Sequence, residues 1–213
     1  MPVQPFETIY FFGRFNFPHL GYLYVIRETL LQLKPTKGIT IVFSAEQATW
    51  NKKAISMQER QTMFTLAIQN LPKDLQSMVH FSSIEKDLPY GGYTLDTLKE
   101  LQKEEKGHSG IVMGADAALG IPDVHPGFTA WKNWKEILNL ADLIIVPRGR
   151  YRDVRAVWAN VPTELKGRNV HTLSTHPTDL ELHASSTLVQ QGNTSFLPKN
   201  VWDYCLAHDL LVQ

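Results

Sequence analysis

A few short stretches carry the side chains best suited to chemistry. In Gly13-Arg14-Phe15-Asn16-Phe17-Pro18-His19-Leu20-Gly21-Tyr22, His19 and the Tyr22 hydroxyl fall within about one helical turn of each other, at the mouth of a helix expected to start at Leu20. The backbone N–H groups of a first helical turn have no partner inside the helix, and the helix dipole favours an anion there. A histidine at that mouth is placed to touch a phosphate oxygen, and Gly21 lets a ligand come close to the backbone. Met113-Gly114-Ala115-Asp116 offers another close approach at Gly114 and a carboxylate that can accept from a ribose hydroxyl. Ser185, Ser186 and Thr187 supply hydroxyls and free N–H groups at a further helix start. Trp131 and Trp134 are three apart, which on a helix puts both on one face and makes one available as a platform for a planar ring. Tyr90 to Thr94 is a donor-rich turn before a helix. Each stretch also has a plainer reading: a capping His19, an N-cap Asp116, an N-cap Ser185, and two tryptophans in the core.

The elements that must position these groups follow from apolar periodicity. Apolar runs at Ile9–Phe12, Ile39–Phe43, Met78–Phe81, Gly110–Met113, Leu143–Val146 and Val170–Leu173 read as strands. Between them lie helical patterns over 20–33, from Ser56 onward, over 94–105 and over 128–140, with a last helix from Pro198 to Leu211. Ser56 and Glu59 have capping-box spacing. Strands this apolar, separated by helices, predict an α/β fold: a Rossmann-like, doubly wound parallel sheet with C-terminal helices, in a single domain over residues 1–213. Ligands of such folds sit outside the carboxyl ends of the strands, where the strand order reverses.

The composition is that of a soluble protein, with 43% hydrophobic and 20% charged residues. A formal net charge of zero gives no electrostatic reason to expect nucleic acid or a membrane surface as partner. The N-terminus lacks the basic and apolar regions of a signal peptide, and no apolar run is long enough to span a bilayer. Cys205, the single cysteine, cannot form an internal disulfide and fits a cytoplasmic protein with a buried thiol. His171, His176 and His183 are spaced five and seven apart, which does not match a metal-ligand pattern, so no protein-held metal is expected.

Taken in order, these stretches resemble the nicotinate or nicotinamide mononucleotide adenylyltransferases of the nucleotidylyltransferase superfamily. The family pattern G-[ST]-F-D-P-x-H-x-G-H stands here as Gly13 to Tyr22, and S-Y-T-x-D-T-L as Gly92-Tyr93-Thr94-Leu95-Asp96-Thr97-Leu98. G-A-D is Gly114-Ala115-Asp116, and W-x-x-W-x-x-(I/L)-L runs from Trp131 to Leu138. S-S-T-x-(I/V)-R stands as Ser185 to Gln190, and the closing P-x-x-V-x-x-Y as Pro198 to Tyr204.

The resemblance implies transfer of AMP from ATP, with Mg²⁺, to a pyridine mononucleotide in NAD biosynthesis. The Tyr93-Thr94 context is similar to the bacterial branch and points to the nicotinate form. On the same resemblance Gly13, Phe15, His19, Gly21, Gly114, Asp116, Ser185, Ser186, Thr187 and Gln190 would hold ATP. Lys52, Lys53, Tyr93, Thr94, Trp131 and Arg148 would hold the mononucleotide, with Trp131 stacking on its ring. His19, Tyr22 and Arg14 would stand in the catalytic positions. The partners are small molecules rather than nucleic acid or membrane, and the oligomeric state is open.

The chain departs from the pattern at Arg14, Asn16, Tyr22 and Gln190, so two cations expected near the leaving pyrophosphate are altered. Losing one such contact typically lowers the rate by about 10²–10³. A nucleotide sensor on the same scaffold, or a sister transferase with another phosphorylated acceptor, therefore stands as an alternative. Arg14 is expected to replace the guanidinium missing at Gln190: Arg14→Thr alone should weaken ATP binding, and adding Gln190→Arg should restore it.

Overall fold

The structure is a computed structural model that describes residues 4–45, 55–88, 93–105, 107–121, 126–175 and 177–211. Its strands are β1 (Thr8–Gly13), β2 (Gly38–Phe43), β3 (Val79–Ser82), β4 (Ser109–Gly114), β5 (Asp142–Val146) and β6 (Val170–Thr172). The helices are α1 (Leu20–Leu33), α2 (Met57–Ile68), α3 (Lys73–Gln76), α4 (Thr94–Glu104), α5 (Ala115–Leu119), α6 (Trp134–Leu140), α7 (Val154–Asn160), α8 (Asp179–His183), α9 (Ser186–Gln190) and α10 (Lys199–Ala207). The strands form one parallel sheet in the order β3-β2-β1-β4-β5-β6. This is the Rossmann-like, doubly wound arrangement expected from the apolar runs, and its order reverses between β1 and β4.

The sheet is apolar on both faces because alternate residues feed separate cores. Ile9 and Phe11 of β1, Ile41 and Phe43 of β2, and Ile144 and Val146 of β5 join one cluster with α1, α2 and α10. Tyr10, Val42, Leu143 and Ile145 join the other, with α4, α6 and α7. A two-residue period on strands buried on both sides produces this division. The buried Cys205 belongs to the first core, where burial pushes its thiol up to about 12, so it stays protonated.

Local chemistry sets several element ends. Ser56 caps α2: its Oγ accepts from Glu59 N at 3.2 Å, and the Glu59 carboxylate accepts from Ser56 N at 3.0 Å. Thr178 and Glu181 form the same reciprocal pair at α8, and Arg27 of α1 bonds Glu181 at 2.7 Å, tying α8 to α1.

The helix expected over 128–140 is shorter. Residues Phe128–Ala130 make a single 3₁₀ turn, Trp131 is extended, and Asn133 takes a left-handed φ of 60° before α6 begins at Trp134. Trp131 and Trp134 are therefore not on one helix face. The last helix also stops at Ala207 rather than Leu211. Among the described residues no helix is long and apolar enough to cross a membrane.

Candidate active site

The turn after β1 and the turn after β4 flank the point where strand order reverses. The first is held by a buried guanidinium: Arg60, 2% exposed, donates to the carbonyls of Arg14 (2.8 Å), Ser44 (3.0 Å) and Ile55 (3.2 Å). That grip fixes Phe15, whose ring is buried although its φ is 50°, in the left-handed region rarely used by an aromatic residue. The nearby Glu85 carboxylate accepts from Ala45 N and Thr97 Oγ1, each at 3.2 Å. Burial raises the pKa of Glu85, offset in part by those two bonds.

His19 is the N-cap of α1, but its side chain does not cap the helix. The ring is 1% exposed and stacks on Tyr22 at 3.9 Å between centroids. Neither ring nitrogen has a hydrogen-bond partner among the described residues. Burial, and then the positive charge of Arg148, hold its pKa well below the usual histidine value. Buried polar atoms are rarely left unpaired, and the N–H of this neutral imidazole, free at a helix mouth, is a donor that a bound anion would satisfy.

Tyr22 serves as a wall. Its ring meets the edges of Phe11 and Phe15 at 5.7 and 5.1 Å, and the Arg148 guanidinium lies 5.7 Å from its centroid. Gly21 makes this assembly possible. A Cβ there would stand 3.1 Å from the His19 ring and 3.2 Å from Arg148 Cζ, tighter than ordinary contact.

Arg148 follows β5, is 7% exposed, and reaches across the site. It donates to the Ala184 carbonyl, and its Nε lies 3.8 Å from Asp116 Oδ2. Asp116 does not act as the N-cap of α5; that position is Gly114, and the Asp116 carboxylate turns to Arg148 instead. A Cβ at residue 114 would fall 2.5 Å from Asp116 Oδ1, so glycine leaves the Asp116 carboxylate free to hold this position. Ser185 caps α9 by accepting from Leu188 N at 3.2 Å, while the buried Ser186 hydroxyl has no partner among the described residues. Helix α9 is only five residues long, so its dipole contributes little and the hydroxyls must supply most of any anion contact.

A cavity of about 430 Å³ opens here, lined by Asp116, Ile121, Arg148, Gly149, Arg150, Arg152, Leu182, His183, Ala184 and Ser185. The expected Asp116, Arg148 and Ser185 thus converge, with His19 and Gly21 against Arg148. Thr187 and Gln190 are exposed on α9, and Arg14 is exposed on the first turn; none of the three lines the cavity. On the other side Lys132 Nζ lies 4.0 Å from the ring centre of Tyr93, bringing the Tyr93-Thr94 turn next to the Trp131 turn. Trp131 packs on Phe128 at 5.3 Å and stays partly exposed. Lys52 and Lys53 lie outside the described residues.

The cytidylyltransferase-like family matches residues 10–192 of the chain. A probable nicotinate-nucleotide adenylyltransferase of Hydrogenovibrio crunogenus is 31% identical, with 93% of this chain and 94% of that one covered. One from Carboxydothermus hydrogenoformans is 30% identical over 94% and 95%. The chain belongs to the nicotinate-nucleotide adenylyltransferase family. In three dimensions it is similar to Plasmodium falciparum nicotinic acid mononucleotide adenylyltransferase complexed with NaAD, with a TM-score of 0.74, 15% identity and 96% of each chain covered, which establishes the common fold.

Within this adenylyltransferase family fold, other side chains at the site carry no local signal in the sequence. Arg60 and Glu85 sit on separate elements and meet only through the pairing of β1, β2 and β3. Arg150 and Arg152 did carry a signal, since arginine recurs at alternate positions after β5 in a chain of zero net charge.

Because the fold keeps His19 neutral while the unfolded chain protonates near pH 6.5, its contribution to stability is present above that pH and is lost as pH falls. His19→Phe keeps a ring for Tyr22 and removes the titration. Chemical denaturation between pH 7.5 and 5.5 should show wild type losing stability relative to His19→Phe, with a slope approaching about 1.4 kcal/mol per pH unit.

Proposed function

We propose that this protein transfers AMP from ATP to nicotinate mononucleotide, forming deamido-NAD and pyrophosphate. The observation that carries the reading is the junction of His19, Gly21, Arg148 and Asp116 at the reversal of strand order. It puts an unpartnered imidazole and a buried guanidinium beside a nucleotide-sized cavity.

In this reaction an oxygen of the mononucleotide phosphate attacks the α-phosphorus of ATP. The bond from that phosphorus to the bridging oxygen breaks, and its electron pair leaves with pyrophosphate. No covalent intermediate on the protein is needed. The chain's part is to align the two phosphates and to stabilise the charge that builds on the leaving group. Asp116 accepts from a ribose hydroxyl. His19, Arg148 and the Ser185-Ser186-Thr187 hydroxyls hold phosphate oxygens, and Gly13, Gly21 and Gly114 let the nucleotide lie against the backbone. Arg14 and Gln190, exposed and off the cavity lining, are assigned to the outer end of the triphosphate. Tyr93, Thr94 and Trp131 take the pyridine ring, with Lys52 and Lys53 toward the acceptor phosphate. Mg²⁺ enters on the triphosphate as part of the substrate; among the described residues no group of three His, Cys, Asp or Glu side chains could hold it alone.

Trp131→Ala should raise KM for the mononucleotide about tenfold with KM for ATP unchanged, as expected for losing a ring-stacking platform of about 1–1.5 kcal/mol. Trp131→Phe should recover most of the loss. Initial rates at varied acceptor check this, and an equal change in both KM values would remove Trp131 from the ring site.

The substitutions at Tyr22 and Gln190 favour a second reading, a nucleotide sensor without turnover. Presenting MgATP with nicotinate mononucleotide, nicotinamide mononucleotide and neither, while following pyrophosphate, separates the readings. Release with the nicotinate form supports the enzyme. Release only with the nicotinamide form changes the acceptor, and binding of ATP without release supports the sensor.

A further inference from the structure

Among the described residues, the charge lining the cavity is not balanced. Its lining holds three arginines, Arg148, Arg150 and Arg152, against a single carboxylate, Asp116. Asp116 is engaged with Arg148. Arg150 and Arg152 have no carboxylate partner among the described residues; Arg150 is placed only near the Tyr151 ring, 5.7 Å from its centre. The following acid, Asp153, is used to cap α7 through Ala156 N at 2.7 Å.

The backbone that carries these arginines is fixed rather than loose. Tyr151 between them is buried, its hydroxyl donates to the Gly120 carbonyl at 3.0 Å, and Tyr151 bridges back to Arg148. Both side chains therefore leave a rigid hairpin at the cavity rim. Next to that rim lie buried atoms without a hydrogen-bond partner among the described residues: both His19 ring nitrogens and Ser186 Oγ, together with Arg148 Nε, which meets Asp116 only as an ion pair at 3.8 Å. Two exposed arginines without a carboxylate partner among the described residues, beside buried polar atoms without hydrogen-bond partners there, fit a polyanionic group better than a neutral one.

We propose that Arg150 and Arg152 hold the β- and γ-phosphates of the bound nucleoside triphosphate and take the charge of the departing pyrophosphate. The inference deepens the adenylyl-transfer reading and rests on it for the leaving-group role. The phosphate contact itself stands independently. Guanidinium suits the task because its planar fork can meet two phosphate oxygens and stays charged at all working pH values.

The test compares ATP, in its non-hydrolysable α,β-methylene form, with AMP by calorimetry on wild type, Arg150→Gln, Arg152→Gln and the double variant, with Mg²⁺ present. Each single change should weaken the triphosphate analogue about tenfold and the double about 100-fold, while AMP affinity moves less than twofold. The salt dependence of analogue binding should flatten in the same order. Arg150→Lys with Arg152→Lys keeps the charge and should recover part of the affinity, which also shows that the hairpin folds. Equal weakening of ATP and AMP would place the arginines on the base or ribose and overturn the proposal, as would unchanged ATP affinity in the double variant. Turnover is read separately. If wild type prefers ATP over AMP through these arginines but makes no product with nicotinate mononucleotide, the transferase reading fails and the phosphate site stands.

Discussion

Replacing His19 with Ala should lower kcat/KM for AMP transfer by about 10²–10³-fold, with the chain still folded. The imidazole is the single buried side chain at the mouth of α1 whose ring nitrogens both lack partners among the described residues. It is held by stacking on Tyr22 rather than by any polar contact, so its donor is free for a phosphate oxygen. Most of the loss should fall on kcat, because charge at the leaving group grows toward the transition state and a donor aimed there gains strength as it develops. His19→Gln, which retains an N–H donor of shorter reach, should fall between the two. Steady-state kinetics with thermal melts separates the effect from simple unfolding. A fall confined to KM would mean that the histidine binds substrate and transition state equally.

Arg148→Gln should have the second large effect, about 10³-fold in kcat/KM, together with a stability loss of about 1–3 kcal/mol. Two roles combine in this one side chain. Its guanidinium bonds the Ala184 carbonyl and pairs with Asp116, so removal leaves a buried carbonyl and a carboxylate without their partner. Its charge also bears on the His19 imidazole, and it crosses the face of Tyr22. Arg148→Lys should not rescue, since a point charge cannot reproduce the fork that reaches Ala184 and Asp116 together. Rescue by lysine to within threefold would reduce the role of Arg148 to charge alone.

Tyr22, which departs from the family pattern, acquires a physical account. The ring fills a slot among Phe11, Phe15 and Phe64 and backs the His19 imidazole. An aromatic ring in that slot positions His19 without adding a second cation beside Arg148.

Much of the sheet was legible because its strands are apolar on both faces and separated by helical patterns. Helix α1 runs from Leu20 to Leu33 as its periodicity requires, and the Ser56–Glu59 pair marks the start of α2. The phosphate turn was legible because Gly13, His19 and Gly21 must cluster once β1 and α1 are placed. The Trp131 segment was not. Its three-residue spacing imitates a helix, but the left-handed Asn133 breaks the chain between the two tryptophans, and no local pattern announces that turn. Arg60 and Glu85 were hidden for another reason. Each looks like an ordinary surface charge in its own helix or turn, and only the parallel pairing of β1, β2 and β3 buries them.

The most direct test of the account is chromatographic identification of the product from wild-type protein supplied with MgATP and nicotinate mononucleotide. The account predicts deamido-NAD and pyrophosphate in equal amounts, abolished to near background by His19→Ala. Tight ATP binding with no dinucleotide formed would contradict it.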